Sequence, residues 1–293
     1  MSPVRLGLVG FGRWGRVLMA NMEHHPQVCP AALASRQADA PVPPGCHVVA
    51  HWRQLLEMEL DGLVVAAPPA VHAEIALAAM ERALPLLIEK PLTLSVAEAQ
   101  ALAAAGNGLV MVDHIHLFSP AWRRLKQLAP DLGPVRSLAG VAGNHGPYRA
   151  DTPVLWDWGA HDVAMMLDLL GGLPDRIRAS RAERRQMPEG VGETIALSLD
   201  FGTVTATATL SALMDKARRF TVTCENGTLV YDGVGPVKLA LDGKEVEVAP
   251  RQPLEVLLDE FASAIRSGSR DRSGLDLGVR VVEVLAACEG QLP

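Results

Sequence analysis

Near the start of the chain, Val4 to Gly15 reads VRLGLVGFGRWG, an apolar run that closes on Gly10-Phe11-Gly12-Arg13-Trp14-Gly15. This is G-x-G-x-x-G placed where a buried strand must turn into a helix. Gly10 allows the tight turn, Gly12 lets a pyrophosphate approach the backbone, and Gly15 lets the helix pack close to the strand. The helix N-terminus adds partial positive charge and free N–H groups. The spacing predicts a dinucleotide site, with Phe11, Arg13 and Trp14 inside the turn. An ordinary glycine-rich turn is the plain alternative.

Lys90 follows an apolar run, Leu84 to Ile88, and Glu89. At the carboxyl edge of a parallel sheet, an ammonium can stabilise developing oxyanion charge and pass a proton. By itself, a strand-end lysine is more often a surface residue. Further on lies Trp156-Asp157-Trp158-Gly159-Ala160-His161-Asp162. Asp157 and His161 are spaced to share a helical face and to point into one pocket. The imidazole could trade a proton with a hydroxyl while the carboxylate orients it. A structural Asp–His pair at a helix start is the other reading. Trp158 is placed with the substrate residues.

His114 and His116 would share one side of a strand, but no carboxylate or cysteine stands at ligand spacing beside them, so a metal is set aside for a crevice or packing role. The stretch Gly143-Asn144-His145-Gly146-Pro147-Tyr148-Arg149 is rich in donors. Asn144, Tyr148 and Arg149 could hold the hydroxyls or carboxylate of a sugar-like substrate, or the loop could simply be solvated.

The elements that must carry these residues alternate. Cys29 to Ala34 is the second strand and ends in Ser35-Arg36. Roughly 20 residues past the glycine turn, an acidic residue would meet a ribose 2′-OH, whereas an arginine accommodates a 2′-phosphate. Ser35 and Arg36 therefore favour NADP(H), with NAD(H) possible. Leu55 to Leu60 reads as a helix end, and Gly62 to Ala67 as the third strand, stopped by Pro68-Pro69 where the cofactor should lie. Pro68, His72 and Glu89 are assigned to the cofactor. Helices are expected at Arg16 to Glu23, from His72 to about Arg82, and at Val96 to Ala105, with a strand at Leu109 to Asp113. This rhythm predicts α/β: an N-terminal Rossmann dinucleotide-binding domain with a parallel sheet.

After a helix at Trp122 to Leu128 and another at Val163 to Leu170, the period becomes two. Strands are read at Val135 to Val141, Ile177 to Glu183, Thr194 to Asp200, Val204 to Ser211, Arg219 to Cys224, Thr228 to Tyr231, Val237 to Leu241 and Glu245 to Val248. Asn226-Gly227 and Asp242-Gly243 are hairpin turns. Thr203 to Thr209 alternates threonines with small residues, as suits an exposed or partner-covered face. Leu254 to Ile265 and Leu277 to Ala287 close the chain, joined by a polar linker whose arginines are read as facing water. The second domain is therefore α+β on a mainly antiparallel sheet. The division is residues 1–115 and 116–293, with the final helix packing back on the first domain.

The chain has 293 residues, 49% of them hydrophobic and 20% charged, and a net charge of −6. That charge disfavours a general nucleic-acid binder but says little about a small acidic substrate, which needs only a local basic pocket. No apolar run is long enough to span a bilayer, and no leader is evident, so no membrane partner and a cytoplasmic location are expected. Cys29, Cys46, Cys224 and Cys288 are scattered and read as reduced.

Glu89-Lys90-Pro91 after a glycine-rich N-terminal strand, with Pro69-Ala70-Val71-His72 after the third strand, resembles the glucose–fructose oxidoreductase / inositol 2-dehydrogenase (Gfo/Idh/MocA) family. The resemblance implies that Lys90 is catalytic, near the transferred hydrogen, with a cis bond to Pro91. The family pattern D-x-G-x-H-D falls on Asp157, Gly159, His161 and Asp162. It implies that Asp157 and His161 line the substrate site and share catalysis with Lys90. His114, at a strand end, becomes a substrate candidate. The family's open sheet face implies a homodimer or homotetramer. The likeness covers residues 4–170 well and the rest loosely, with clipped loops in the second half. The expectation is an oxidoreductase moving a hydride between NADP(H) or NAD(H) and a secondary alcohol or ketone of a sugar, polyol or sugar derivative. Two other readings stand beside it: a cofactor-binding sensor without turnover, and a lyase or hydrolase that recycles its nicotinamide.

Overall fold

The computed structural model describes residues 2–106, 108–148 and 152–292. Arg149 lies outside the described residues. The chain divides into two units, residues 1–113 with 254–279, and residues 114–253 with 280–293.

In the first unit, apolar runs form strands buried on both faces, as a parallel sheet covered by helices requires. These are β1 (Val4–Val9), β2 (Val28–Ala34), β3 (His47–Val49), β4 (Gly62–Val65), β5 (Leu86–Glu89) and β6 (Val110–Asp113). Their order is β3-β2-β1-β4-β5-β6, and every pair is parallel. The carboxyl ends of β1, β4, β5 and β6 therefore lie along one edge. Helices α1 (Arg13–His24), α2 (His72–Glu81) and α3 (Val96–Ala105) are the crossovers. Leu6, Leu8, Leu33, Leu63, Leu86 and Ile88 are wholly buried.

Three local expectations change here. The segment read as the end of an α-helix at Leu55 to Leu60 is a 3₁₀ helix, Trp52–Glu57, stopped because its amphipathic stretch is short and ends at Met58. The short β3 was not anticipated: it is three residues long, too few for an alternation to register. Arg266 and Arg272, expected to face water, are instead bound to the unit's backbone. Arg266 Nη2 donates to Gln27 O at 3.0 Å and Arg272 Nη2 to Ala103 O at 2.6 Å. Both carbonyls lie at element ends, where a guanidinium can satisfy an otherwise orphaned acceptor.

In the second unit, an eight-stranded sheet runs β14-β13-β12-β11-β7-β10-β9-β8. Its strands are β7 (Val135–Gly143), β8 (Arg176–Met187), β9 (Gly190–Phe201), β10 (Val204–Ser211), β11 (Ala217–Cys224), β12 (Gly227–Asp232), β13 (Leu239–Leu241) and β14 (Lys244–Glu245). Only β10 with β7 is parallel; the other pairs are antiparallel. The β8–β9 hairpin extends beyond the expected Ile177 to Glu183 and Thr194 to Asp200. The added residues, Arg184 to Met187, carry no apolar alternation, and pairing with β9 supplies their order.

Helices α4 (Pro120–Leu128), α5 (Val154–Asp157) and α6 (Gly159–Leu170) belong to this unit, and α7 (Pro253–Arg266) and α8 (Ser273–Glu289) close the chain. Trp122 is fully buried, edge-on to Phe220 at 5.3 Å, and its Nε1 donates to Asp168 at 2.8 Å. Asp162 and Arg218, 1% and 6% exposed, form a buried ion pair, and Gly140 of β7 leaves the room in which the Asp162 carboxylate sits. Burial raises the Asp162 carboxyl, and the Arg218 guanidinium works against that rise.

His72 is a comparable fixture of the first unit. It is fully buried, with Nε2 2.8 Å from Ala67 O and Nδ1 3.1 Å from Pro91 O. Its ring thus ties the turn after β4 to the turn after β5. Burial pushes its pKa down, against the opposing effect of these carbonyls.

Two outcomes are expected. Arg218→Met should lower the free energy of unfolding by roughly 3–5 kcal/mol, because it strands a buried carboxylate; adding Asp162→Asn should recover part of that in urea titrations. For His72, the unfolded chain binds more protons near an unfolded pKa of about 6.5, so its contribution is complete above that pH and declines as pH falls through it. Urea unfolding at about pH 7.5 and 5.5 should show this loss in the wild type and a smaller one in His72→Gln.

Candidate active site

The glycine turn has the geometry its spacing demands. Gly10 takes φ +95°, and its N–H donates to Ala34 O at 3.0 Å. A Cβ at residue 15 would strike the carbonyl oxygen of Gly10, so only glycine lets α1 start this close to β1. Gly12, the N-cap of α1, has extended backbone, no side-chain cap, and nothing within 4 Å of where a Cβ would project. The N-terminal N–H groups of α1 therefore face an open cradle, which fits the pyrophosphate of a dinucleotide.

Phe11 is buried and carries the Arg16 guanidinium 5.3 Å above its ring. Arg13 and Arg36 are exposed. Ser35, at the end of β2, accepts from Gln37 N at 3.0 Å, and Arg16 Nη2 reaches Gln37 Oε1 at 3.4 Å. Arg16 is thus a second cation near Ser35 and Arg36 that the sequence reading did not single out. It reaches that edge only because α1 runs beside β2.

Pro68 begins the turn after β4, in line with the glycine turn on β1. His72, assigned to the cofactor, has the Ala67 and Pro91 carbonyls within hydrogen-bond distance of its two ring nitrogens, the neutral ring donating its one N–H to one of them, and stands in the interior as a structural tie. Lys90 follows β5, and its bond to Pro91 is cis. Trp14, 38% exposed on the first turn of α1, donates from Nε1 to Asp113 Oδ2 at 3.4 Å. That bond brings the nucleotide turn to the end of β6, beside the strand that delivers Glu89 and Lys90. Asp113 read only as the last residue of a strand. Its importance needed the β5–β6 register, which sets it opposite Glu89.

Asp113 is 2% exposed, and burial is the main cause raising its pKa. Glu89 is half-buried as a residue, but its Oε1 is shut off from solvent. Burial first, and the Asp113 charge second, hold its carboxyl well above the ordinary range, while the charge of Lys90 acts in the other direction.

The second unit holds the remaining candidates. β6 ends at Asp113, and a 3₁₀ turn, Ile115–Phe118, follows. His114 and His116 therefore do not alternate on a strand as expected: the i→i+3 bonds Leu117 N to His114 O and Ser119 N to His116 O replace that geometry. His114 is 2% exposed. His116 Nδ1 lies 2.9 Å from the Tyr231 hydroxyl, and its ring meets His161 edge-on at 4.9 Å. Tyr231 is another residue the sequence reading left out, since it reaches His116 from β12, far along the chain.

Asp157 ends α5, Trp158 is the joint, and His161 lies in the first turn of α6, where its N–H bonds to Trp158 O rather than Asp157 O. Trp158 itself keeps right-handed helical backbone, φ −85° and ψ −41°, so α5 and α6 are joined through this one residue, where i→i+4 bonding gives way to i→i+3 bonding. The Arg218 guanidinium lies 5.3 Å over the Trp158 ring. A cavity of about 440 Å³ is walled by Asp157, Trp158, Arg181, Arg184, Glu193 and Glu289 among others, but not by His161. Arg181 Nε pairs with Glu193 at 2.9 Å. Asn144 is half-buried just beyond β7, and Tyr148 packs its ring where Gly192 of β9 leaves space. No described helix is long and apolar enough to cross a membrane.

Residues 4–114 match the profile of the oxidoreductase family with an NAD-binding Rossmann fold, and residues 126–230 match the GFO/IDH/MocA C-terminal domain. A solved structure from Magnetospirillum magnetotacticum MS-1 is 43% identical, covers 98% of this chain and 100% of its own, and superposes with a TM-score of 0.94. UDP-N-acetylglucosamine 3-dehydrogenase of Acidithiobacillus ferrooxidans is 27% identical over 90% of each chain. A solved structure of that enzyme has a TM-score of 0.86, covering 100% of this chain and 98% of its own. The rhizopine catabolism protein MocA of Rhizobium meliloti is 26% identical over 92% of this chain and 89% of its own. With the glycine turn, the strand-end lysine and both domain folds in agreement, the chain belongs to the Gfo/Idh/MocA family of NAD(P)-dependent oxidoreductases.

Proposed function

We propose that this protein moves a hydride between NADP(H) and a secondary alcohol or ketone of a sugar, polyol or sugar derivative. What carries the reading is one edge of one sheet: the open glycine turn on β1, Lys90 after β5, and the Trp14–Asp113 bond that joins the turn to that edge. A bound nicotinamide would supply the hydride chemistry, and the protein supplies placement and proton handling.

Gly10, Gly12, Gly15 and the start of α1 hold the pyrophosphate. Ser35, Arg36 and Arg16 favour a 2′-phosphate, since a guanidinium forks onto such a group and no carboxylate occupies the end of β2. Lys90 takes the hydroxyl proton as the alcohol is oxidised and returns it in the reverse direction. The D-x-G-x-H-D pattern supports Asp157 and His161 as partners in that transfer. The sugar class is supported by the relatives' activities, such as the UDP-N-acetylglucosamine 3-dehydrogenase.

Absorbance at 340 nm, followed in both directions with aldoses, inositols, uronates and their keto forms, should show turnover that prefers NADP(H) over NAD(H). Lys90→Met should reduce kcat about 10²-fold or more with cofactor still bound. Preference for NAD(H) would remove the 2′-phosphate assignment. Silence across the panel, with cofactor bound, would favour the sensor or the recycling enzyme.

We further propose that a second copy covers the open face of the eight-stranded sheet. The strand registers align Ser198, Thr207, Ala139, Thr221, Val230 and Ala240 in one row. These six residues are uncharged, and the row continues to Arg178 on β8 and Glu245 on β14, so a twofold copy can set the two opposite charges against each other. Ala139→Arg should leave the fold intact and shift the mass in light scattering to that of the monomer; an unchanged mass would exclude this face.

A further inference from the structure

Glu89 closes β5 and Asp113 closes β6, and the register sets them side by side. Glu89 Oε1 and Asp113 Oδ1 are both buried, and neither receives an N–H or O–H from another group. Asp113 Oδ2 accepts from the indole of Trp14. An indole N–H can only donate, so this contact marks Asp113 as an acceptor. Two ionised carboxylates placed together out of water would suffer desolvation and mutual repulsion. One proton between them relieves both and converts two orphaned oxygens into a charge-assisted hydrogen bond. Among the described residues, the groups acting on the pair are the Lys90 ammonium and the Trp14 indole.

We propose that Glu89 and Asp113 share one proton and so present a single buried negative charge that positions the Lys90 ammonium at the sheet edge. Glu89 is the donor and Asp113 the acceptor, with Trp14 as its second donor. Both carboxyls are positioning residues that act through Lys90. Burial raises both carboxyls; the Asp113 charge raises Glu89 further, while a hydrogen bond from Glu89 works to lower Asp113, the asymmetry expected when Glu89 holds the proton. With Lys90 charged, the trio is neutral overall. The inference deepens the proposed role of Lys90 and rests on it for the kinetic arm of the test.

The first arm is infrared spectroscopy of the full-length protein at about pH 7.5, well above ordinary carboxyl pKa values. A carboxylic-acid carbonyl band that shifts in D₂O is expected in the wild type and absent from Glu89→Gln and from Asp113→Asn, where the remaining carboxyl ionises beside Lys90. No such band in the wild type, or its persistence in both variants, would overturn the proposal. The second arm is the pH profile of kcat/KM for ketone reduction, the direction in which the Lys90 ammonium gives up the proton. Each single variant keeps one negative charge, so its alkaline limb should stay within about half a pH unit of the wild type, while the double variant should move about one unit or more lower. A single variant that moves the limb as far as the double would also overturn it. If the band behaves as expected but no substrate turns over, the shared proton stands and the role of Lys90 in hydride transfer falls.

Discussion

The approach of α1 to β1 at Gly15 is the constraint on which the first unit depends. With no Cβ at that position, the helix begins directly against the Gly10 carbonyl, and its N-terminus is fixed at the open cradle of Gly12. The same start sets Trp14 where its indole can bond to Asp113 at the far end of the sheet edge. A side chain at residue 15 would push α1 outward, so the phosphate cradle and the Trp14–Asp113 bond would be lost together. Nucleotide binding and the electrostatics around Lys90 are thereby coupled through one missing methyl group.

Buried polar groups set the rest of the architecture. His72 fixes the turns after β4 and β5 relative to each other, which holds the segment carrying Lys90 in place. In the second unit, Asp162 and Arg218 do similar work. They join α6 to β11, and Arg218 also stacks on Trp158 at the break between α5 and α6. Such pairs are poor sources of net stability but strongly penalise any packing that separates the partners. They specify where Trp158 and the start of α6 lie. The carboxylate of Asp162 fits because β7 has glycine at residue 140.

The face of the second sheet away from its helices has a different character. In β10, Ala206, Ala208 and Leu210 are buried while Thr205, Thr207 and Thr209 are exposed, so strict alternation separates core from open face. Threonine suits a strand and tolerates either water or a partner.

Much of this was legible in order along the chain. The glycine turn, the parallel sheet and the later antiparallel strands follow from local spacing and period, because a helix start or a strand face depends on residues close in sequence. Lys90 after its apolar strand was legible for the same reason. Other features were decided only by the fold. Asp113 matters because register sets it beside Glu89. His72 became a structural tie because two distant carbonyls close on its ring. The histidines at 114 and 116 left strand geometry when the chain turned after Asp113. Sequence alone thus determined which elements form and which of their ends could carry chemistry. Tertiary structure decided which buried groups meet, because burial, charge and proton sharing depend on neighbours brought together from separate strands.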